Sequence, residues 1–221
     1  MTASLYAFDA YGTLFDVHAA VARHAAAVGP EAQRLSEIWR AKQLEYTWTR
    51  TLAGAYRDFE AVTRDALAYA AARCGGLSPD LCADLMAAYA TLDAYPDVRP
   101  TLERLKARGA RLAILSNGTP GMLQAAVTAA GFDALFDAVL SVDAIGVYKT
   151  APAAYAMATE RFGVPPSAVS FQSSNRWDVM GATRFGFRCV WVNRTDQPDE
   201  YPDLAPAHVV RTLDGLPALQ H

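Results

Sequence analysis

The chain has 221 residues, of which 52 % are hydrophobic and 19 % charged, with a net charge of −3. This is the balance of a globular protein and excludes a disordered chain. No basic stripe is present, so no nucleic-acid partner is expected.

Residues 4–9 (SLYAFD) read as a buried strand ending on a carboxylate, and AYGT at 10–13 reads as a turn. The alanine-rich stretch 16–92 follows. In LSEIWRAKQLEYTW and YRDFEAVTRDALAYAAARC apolar residues recur three and four apart, which predicts several packed helices. From Tyr95-Pro96-Asp97 onward helix and strand alternate. The pattern predicts helix 98–108, strand 111–116, helix 119–130, strand 138–142 and helix 152–162. Strand 168–173, helix 177–185, strand 188–192 and an apolar run at 207–210 complete it. Gly109, Gly131, Gly163 and Gly186 stand where helices should stop.

Repeated strand–helix units with apolar strands predict an α/β fold, a doubly wound parallel sheet. Residues 1–15 and 93–221 would form this core domain, and 16–92 an inserted all-helical cap over the sheet's carboxyl edge. Ligands bind at that edge in such sheets. No segment opens the chain as a signal peptide would, and no apolar run is long enough to cross a bilayer. A cytoplasmic setting without a membrane partner is expected. Cys74, Cys82 and Cys189 match no common zinc spacing and read as buried free thiols. His18, His24, His208 and His221 form no cluster and read as ordinary surface or core histidines rather than ligands. Neither metal nor cofactor is expected.

Functional residue types stand just after successive strands. Asp9 ends the first, Ser116-Asn117-Gly118 end the second, Lys149 follows the third, and Ser173-Ser174-Asn175 end the fourth, with Trp177 and Asp178 close behind. Each has a bland reading: an SNG caps helices, and a lone Lys is usually a solvated charge. Their occurrence in order at four strand exits is what carries weight.

The set DAYGT, LSNG, YK followed by AAY, and SSNRWD resembles the haloacid dehalogenase superfamily, most closely the L-2-haloacid dehalogenases. WRAKQLEYTW at 39–48 is similar to their cap segment. The resemblance runs over nearly the whole chain. It implies attack by Asp9 on C2 of an (S)-2-haloalkanoate, loss of halide with inversion, and hydrolysis of the aspartyl ester to an (R)-2-hydroxy acid. It also implies a homodimer, for which the YTW face of the cap is an apolar candidate.

The same resemblance implies roles residue by residue. Arg40, Asn117 and Trp177 would contact the departing halide, although a surface Arg and a core Trp are the plainer readings. Ser116 would bind the substrate carboxylate, and Lys149 would hold Asp9 ionised and touch that carboxylate too. Tyr155 would support Lys149 or Asp9, or pack simply as a helix aromatic. Ser173, Asn175 and Asp178 would orient the nucleophile and the hydrolytic water, with Asp178 activating the water. Thr13 would bond Asp9 or its loop, or cap a helix. Tyr11, Leu44 and Phe59 are candidates for the alkyl pocket, against a simple core role. Thr150 replaces the Pro that often follows the family lysine.

A Mg²⁺-dependent phosphatase of this superfamily is the competing enzyme. It uses a second aspartate two residues after the first, where this chain has Tyr11, and more acids in its last loop than SSNRWD offers. A catalytically silent scaffold is the other alternative, and it would have lost Asp9, Lys149 or Asp178. A halide leaves without being protonated, so the missing acid fits dehalogenation.

Overall fold

The computed structural model describes residues 5–219, so Ser4 and His221 of the readings above lie outside the described residues. Within them, β1 (Leu5–Phe8), β2 (Arg111–Ser116), β3 (Ala138–Ser141), β4 (Val169–Ser173), β5 (Arg188–Val192) and β6 (His208–Val210) form one parallel sheet. Its order is β3-β2-β1-β4-β5-β6. The winding runs outward from β1 to β3, then crosses back to β4 and runs the other way. The switch point therefore lies between β1 and β4, and the crevice beyond their carboxyl ends is where such a sheet binds ligands.

β1 is buried along its whole length because it has a strand on each side and packed layers above and below. Its side chains alternate: Tyr6 and Phe8 enter the larger apolar cluster, while Leu5 and Ala7 enter the smaller one with Tyr155, Phe171 and Phe187. That two-sided burial is why the strand reads as an unbroken apolar run.

The segment after β1 contains α1 (Ala19–Arg23), α2 (Ala25–Val28), α3 (Ala32–Leu52), α4 (Phe59–Arg73) and α5 (Pro79–Ala90). Asp58 and Ser78 accept the N–H of Ala61 and Leu81 and so start α4 and α5. The chain leaves and returns through a narrow neck. Asp16 N–H donates to Asp93 O at 2.9 Å and Tyr95 N–H to Leu14 O at 3.0 Å. The remaining helices are α6 (Val98–Ala107), α7 (Pro120–Ala129), α8 (Pro152–Phe162) and α9 (Arg176–Phe185).

Three readings are corrected in detail. The third strand stops at Ser141, where a 3₁₀ turn over Val142–Ile145 takes over, capped by the Ser141 hydroxyl. Helix α9 begins at Arg176, directly after the loop carrying Asn175. Only Cys189 is buried; Cys74 and Cys82 are free but half-buried, because they lie near the ends of insertion helices facing solvent on one side. Among the described residues no helix is long and apolar enough to cross a membrane.

Helices α8 and α9 approach closely at Gly181. A Cβ there would lie 2.5 Å from Tyr155 Oη and 2.8 Å from Thr150 Cβ. Tyr155 is fully buried among Phe171, Phe185 and Phe187 and has nowhere to move. Gly181→Ala is therefore expected to destabilise the fold by about 1–3 kcal/mol in urea unfolding. This reverses the gain of about 1 kcal/mol that helix propensity alone would give, and a stabilised variant would refute the packing argument.

Candidate active site

Strand β1 runs out at Phe8, and Asp9 N–H still donates to Gln172 O at 2.9 Å. The Asp9 carboxylate is thereby fixed over the switch-point crevice. The turn that follows needs Gly12, whose φ is +91°. It brings Thr13 back onto Asp9, and Thr13 Oγ1 donates to Oδ2 at 3.1 Å. The same hydroxyl accepts Ser174 N–H at 2.8 Å, tying the β1 and β4 loops together. Thr13 caps no helix, since α1 begins six residues later at Ala19.

Asn175 completes the contacts on that oxygen: its Nδ2 donates to Asp9 Oδ2 at 2.9 Å and to Tyr11 O at 3.2 Å. The Ser173 hydroxyl accepts Asn175 N–H at 3.1 Å and fixes the turn. Asp9 Oδ1 instead takes a single bond, from Lys149 Nζ at 3.1 Å. Lys149 Nζ also donates to Asp178 Oδ2 at 2.8 Å and lies 5.0 Å from the centre of the Phe171 ring. The Lys149 side chain is completely buried. Burial opposes its charge, but the two carboxylates outweigh that and raise its pKa.

Tyr155 packs as a buried helix aromatic, and its predicted support of Lys149 or Asp9 is corrected. Its hydroxyl bonds neither Lys149 nor Asp9; it donates to Asp178, at 2.9 Å to Oδ1 and 3.1 Å to the backbone O. The reason is that α8 and α9 pack side by side, which puts Tyr155 behind Asp178 rather than over the crevice. Asp178 lies in the first turn of α9 and is fully buried. Burial raises its pKa to about 6, against the lowering effect of Lys149.

On the other side of the crevice, Ser116 Oγ accepts Gly118 N–H at 3.2 Å and keeps its own proton to donate. Asn117 Oδ1 accepts Lys149 N–H at 3.0 Å, which leaves its NH₂ as the donor end. The Lys149–Thr150 peptide is cis.

Arg40 reaches in from α3. Its Nη2 donates to Tyr11 O at 3.2 Å and Asn175 Oδ1 at 3.1 Å. A cavity of about 250 Å³ opens beside it, lined among others by Leu44, Asn175, Tyr95 and Arg194. Leu44 thus faces the mouth. Phe59 and Tyr11 are buried and stack near each other, with ring centres 5.6 Å apart. Trp177 packs edge-on against Trp48 of α3, at 5.4 Å.

Some participants escaped the sequence reading. Gln43 and Tyr89 lie behind Arg40; Gln43 was legible only as a helix neighbour three residues on, and nothing marked Tyr89. Gly118, read from sequence only as part of the SNG turn, lies under the Tyr11 ring, since a Cβ there would sit 2.7 Å from Tyr11 Cε2. Arg194 donates to Thr13 O at 2.9 Å and pairs with Asp97, holding the first turn from the β5 side. Among the described residues no three His, Cys, Asp or Glu side chains are grouped to hold a metal ion.

This arrangement can present a carboxylate nucleophile, a fixed cation and several donors in one crevice. A haloacid dehalogenase-like hydrolase family model matches residues 3–186. The chain belongs to this family. It is 49 % identical over 211 residues to (S)-2-haloacid dehalogenase 4A of Burkholderia cepacia, covering 95 % of this chain and 91 % of that one. It is 47 % identical to (S)-2-haloacid dehalogenase 1 of Pseudomonas sp. (strain CBS-3), covering 96 % and 94 %. The L-2-haloacid dehalogenase of Xanthobacter autotrophicus, solved with chloropropionic acid covalently bound, superposes with a TM-score of 0.88 at 41 % identity. That match covers 99 % of this chain and 98 % of the other.

The raised pKa of Asp178 in this dehalogenase-family crevice has a consequence for stability. Between pH 3.8, its ordinary value, and about 6, the folded chain holds a proton that the unfolded chain has released. The stability this gives is complete at low pH and lost as pH rises through about 6. The unfolding free energy of wild type minus that of Asp178→Asn is thus expected to fall between about pH 4 and 6 and to level above about pH 7. Urea titrations at a series of pH values measure it, and a difference that rises across that window would contradict the assignment.

Proposed function

We propose that the protein is an (S)-2-haloacid dehalogenase, a hydrolase of carbon–halide bonds that forms (R)-2-hydroxy acids through an ester on Asp9. The observation that carries this reading is the unequal hydrogen bonding of the Asp9 carboxylate. Oδ1 has one donor, Lys149, while Oδ2 has two, Thr13 and Asn175. Both lone-pair directions of Oδ2 are thus taken, while Oδ1 keeps one open beside Lys149, so Oδ1 is the oxygen free to approach C2, from the face opposite the halogen. Attack inverts the centre and expels halide, which needs no proton.

The oxygen that did not attack becomes the carbonyl of the ester. Thr13 and Asn175 already donate to it, so they are aimed at the atom that becomes negative when water adds. Asp178, whose pKa of about 6 leaves it ionised at neutral pH, accepts the proton of that water and gives it to the hydroxy-acid oxygen as the ester bond to Asp9 breaks. Hydrolysis at the Asp9 carbonyl leaves C2 untouched, so the product keeps the inverted configuration. The substrate carboxylate lies against the Ser116 hydroxyl and the Lys149 charge. Arg40, the Asn117 amide and the edge of Trp177 receive the halide, and Tyr11, Leu44 and Phe59 line the alkyl side.

The bridge from Arg40 to Asn175 supports reading 16–92 as a cap that closes on a core of 1–15 and 93–221. The phosphatase reading is disfavoured: Tyr11 occupies the place of the second acid, and the relatives named above are haloacid dehalogenases. The three free thiols fit a reducing cytoplasm. Trp48 and Leu52 on the last turns of α3 are exposed and favour a homodimer through that face. Leu52→Glu is expected to shift the protein toward monomer in light scattering; an unchanged dimer would exclude this face.

The covalent scheme is tested by a single turnover of (S)-2-chloropropionate in water labelled with heavy oxygen. The label is expected in Asp9 and not in the first product molecule; label in that product would mean direct attack by water. Asp9→Asn, freshly purified and folded, is expected to lose about 10⁴-fold or more in halide release, and EDTA to leave wild-type release unchanged.

A further inference from the structure

Arg40 is half-buried between the insertion and the core, yet its guanidinium has one orientation. Its Nη2 is held from the core side by Tyr11 O and Asn175 Oδ1. Its Nη1 donates to Gln43 Oε1 at 2.7 Å, one helical turn further along α3. A planar guanidinium fixed at two nitrogens has its remaining N–H groups fixed in direction as well. What fixes Gln43 therefore decides where Arg40 points.

Gln43 is 1 % exposed, and its amide cannot turn over. Thr63 Oγ1 spends its proton on Phe59 O at 2.6 Å, so toward Gln43 it can only accept, and it does so from Nε2 at 2.7 Å. That leaves Oε1 facing Arg40, a group with donors only. Tyr89 Oη lies 3.2 Å from both ends of the amide and closes the cluster. Trp39 Nε1 donates to Thr63 O at 2.8 Å, which locks α4 to α3 behind it. The result is a continuous chain of hydrogen bonds from Thr63 through Gln43, Arg40 and Asn175 to Asp9.

We propose that Gln43, oriented by Thr63 and Tyr89, is the positioning residue that aims Arg40 at the departing halide. Gln43 touches neither substrate nor Asp9; it acts through Arg40. The role rests on the dehalogenase reading above and adds to it a specific dependence on the leaving group. Chloride departs less readily than bromide, so its release draws more on a well-aimed guanidinium.

The test compares single-turnover halide release from (S)-2-chloropropionate and (S)-2-bromopropionate. Gln43→Met keeps the length of the side chain and removes both hydrogen-bonding ends. Chloride release is expected to fall about 10- to 100-fold, the loss of one hydrogen bond to a charged group. Bromide release is expected to fall by less, so that the bromide-to-chloride ratio rises. A purely structural role would lower both rates alike. Thr63→Val, nearly isosteric on α4, is expected to shift the ratio the same way by a smaller factor, which covers a poorly folding Gln43→Met. In an Arg40→Ala background Gln43→Met is expected to change little further, because the two act as one unit. An unchanged ratio in both variants, or losses that multiply with Arg40→Ala, would overturn the positioning role alone. A wild-type protein releasing neither halide would overturn the dehalogenase reading, and the role of Gln43 with it.

Discussion

The buried ammonium of Lys149 between Asp9 and Asp178 is the constraint around which the rest of the structure is arranged. A lone charge taken out of water is costly, and burying three is tolerable only if each is paired and further bonded. Here the third strand exit supplies the cation, the first supplies Asp9, and the helix after the fourth supplies Asp178. Three segments far apart in sequence must arrive together for any of them to be satisfied. Tyr155 then caps the free oxygen of Asp178, and the Asn117 side chain holds the backbone N–H of Lys149. Removing Lys149 would leave two buried carboxylates without the cation that pairs them.

The sheet topology makes this convergence cheap. β1 lies between β2 and β4, so the loops after all three open onto one crevice. The helical insertion leaves the core immediately after the first of those loops and returns beside it through the Asp16–Asp93 and Leu14–Tyr95 pairs. A segment rooted that close to Asp9 can place Arg40 over the crevice without a long connection. Arg194 braces the root from below, bonding Thr13 O while stacking 4.0 Å from the Tyr95 ring.

The parts of this site that could be read from the sequence are those set by strand position. Asp9, Ser116, Asn117, Lys149, Ser173 and Asn175 are legible because a parallel sheet puts every strand exit on one edge. The alternation of strand and helix was legible from the apolar pattern, with Gly163 and Gly186 standing at helix ends as expected. Contacts made by helix packing were not. Tyr155 bonds Asp178 because α8 lies against α9 at Gly181, a distance no spacing encodes. Gln43, Thr63 and Tyr89 meet across three helices of the insertion and look like ordinary buried residues of each. The narrow space at Gly118 exists because the Tyr11 ring and Leu123 lie over it.

The asymmetry of Asp9 connects these observations to the chemistry. The same carboxylate must first be a nucleophile and then the electrophilic carbon of an ester, and the two tasks ask for opposite treatment of its oxygens. A nucleophilic oxygen needs an open lone pair; a developing oxyanion is stabilised by each donor placed on it. With Thr13 and Asn175 filling Oδ2 and an open lone pair left on Oδ1 beside Lys149, the proposed scheme divides the tasks between two atoms of one side chain. Asn175 also receives Arg40 on its carbonyl oxygen, so in the proposed scheme the amide assigned to the second step is held by the guanidinium assigned to the first. Displacing Arg40 would then disturb both steps, which is why the orientation of a residue on the insertion matters to a carbonyl on the sheet.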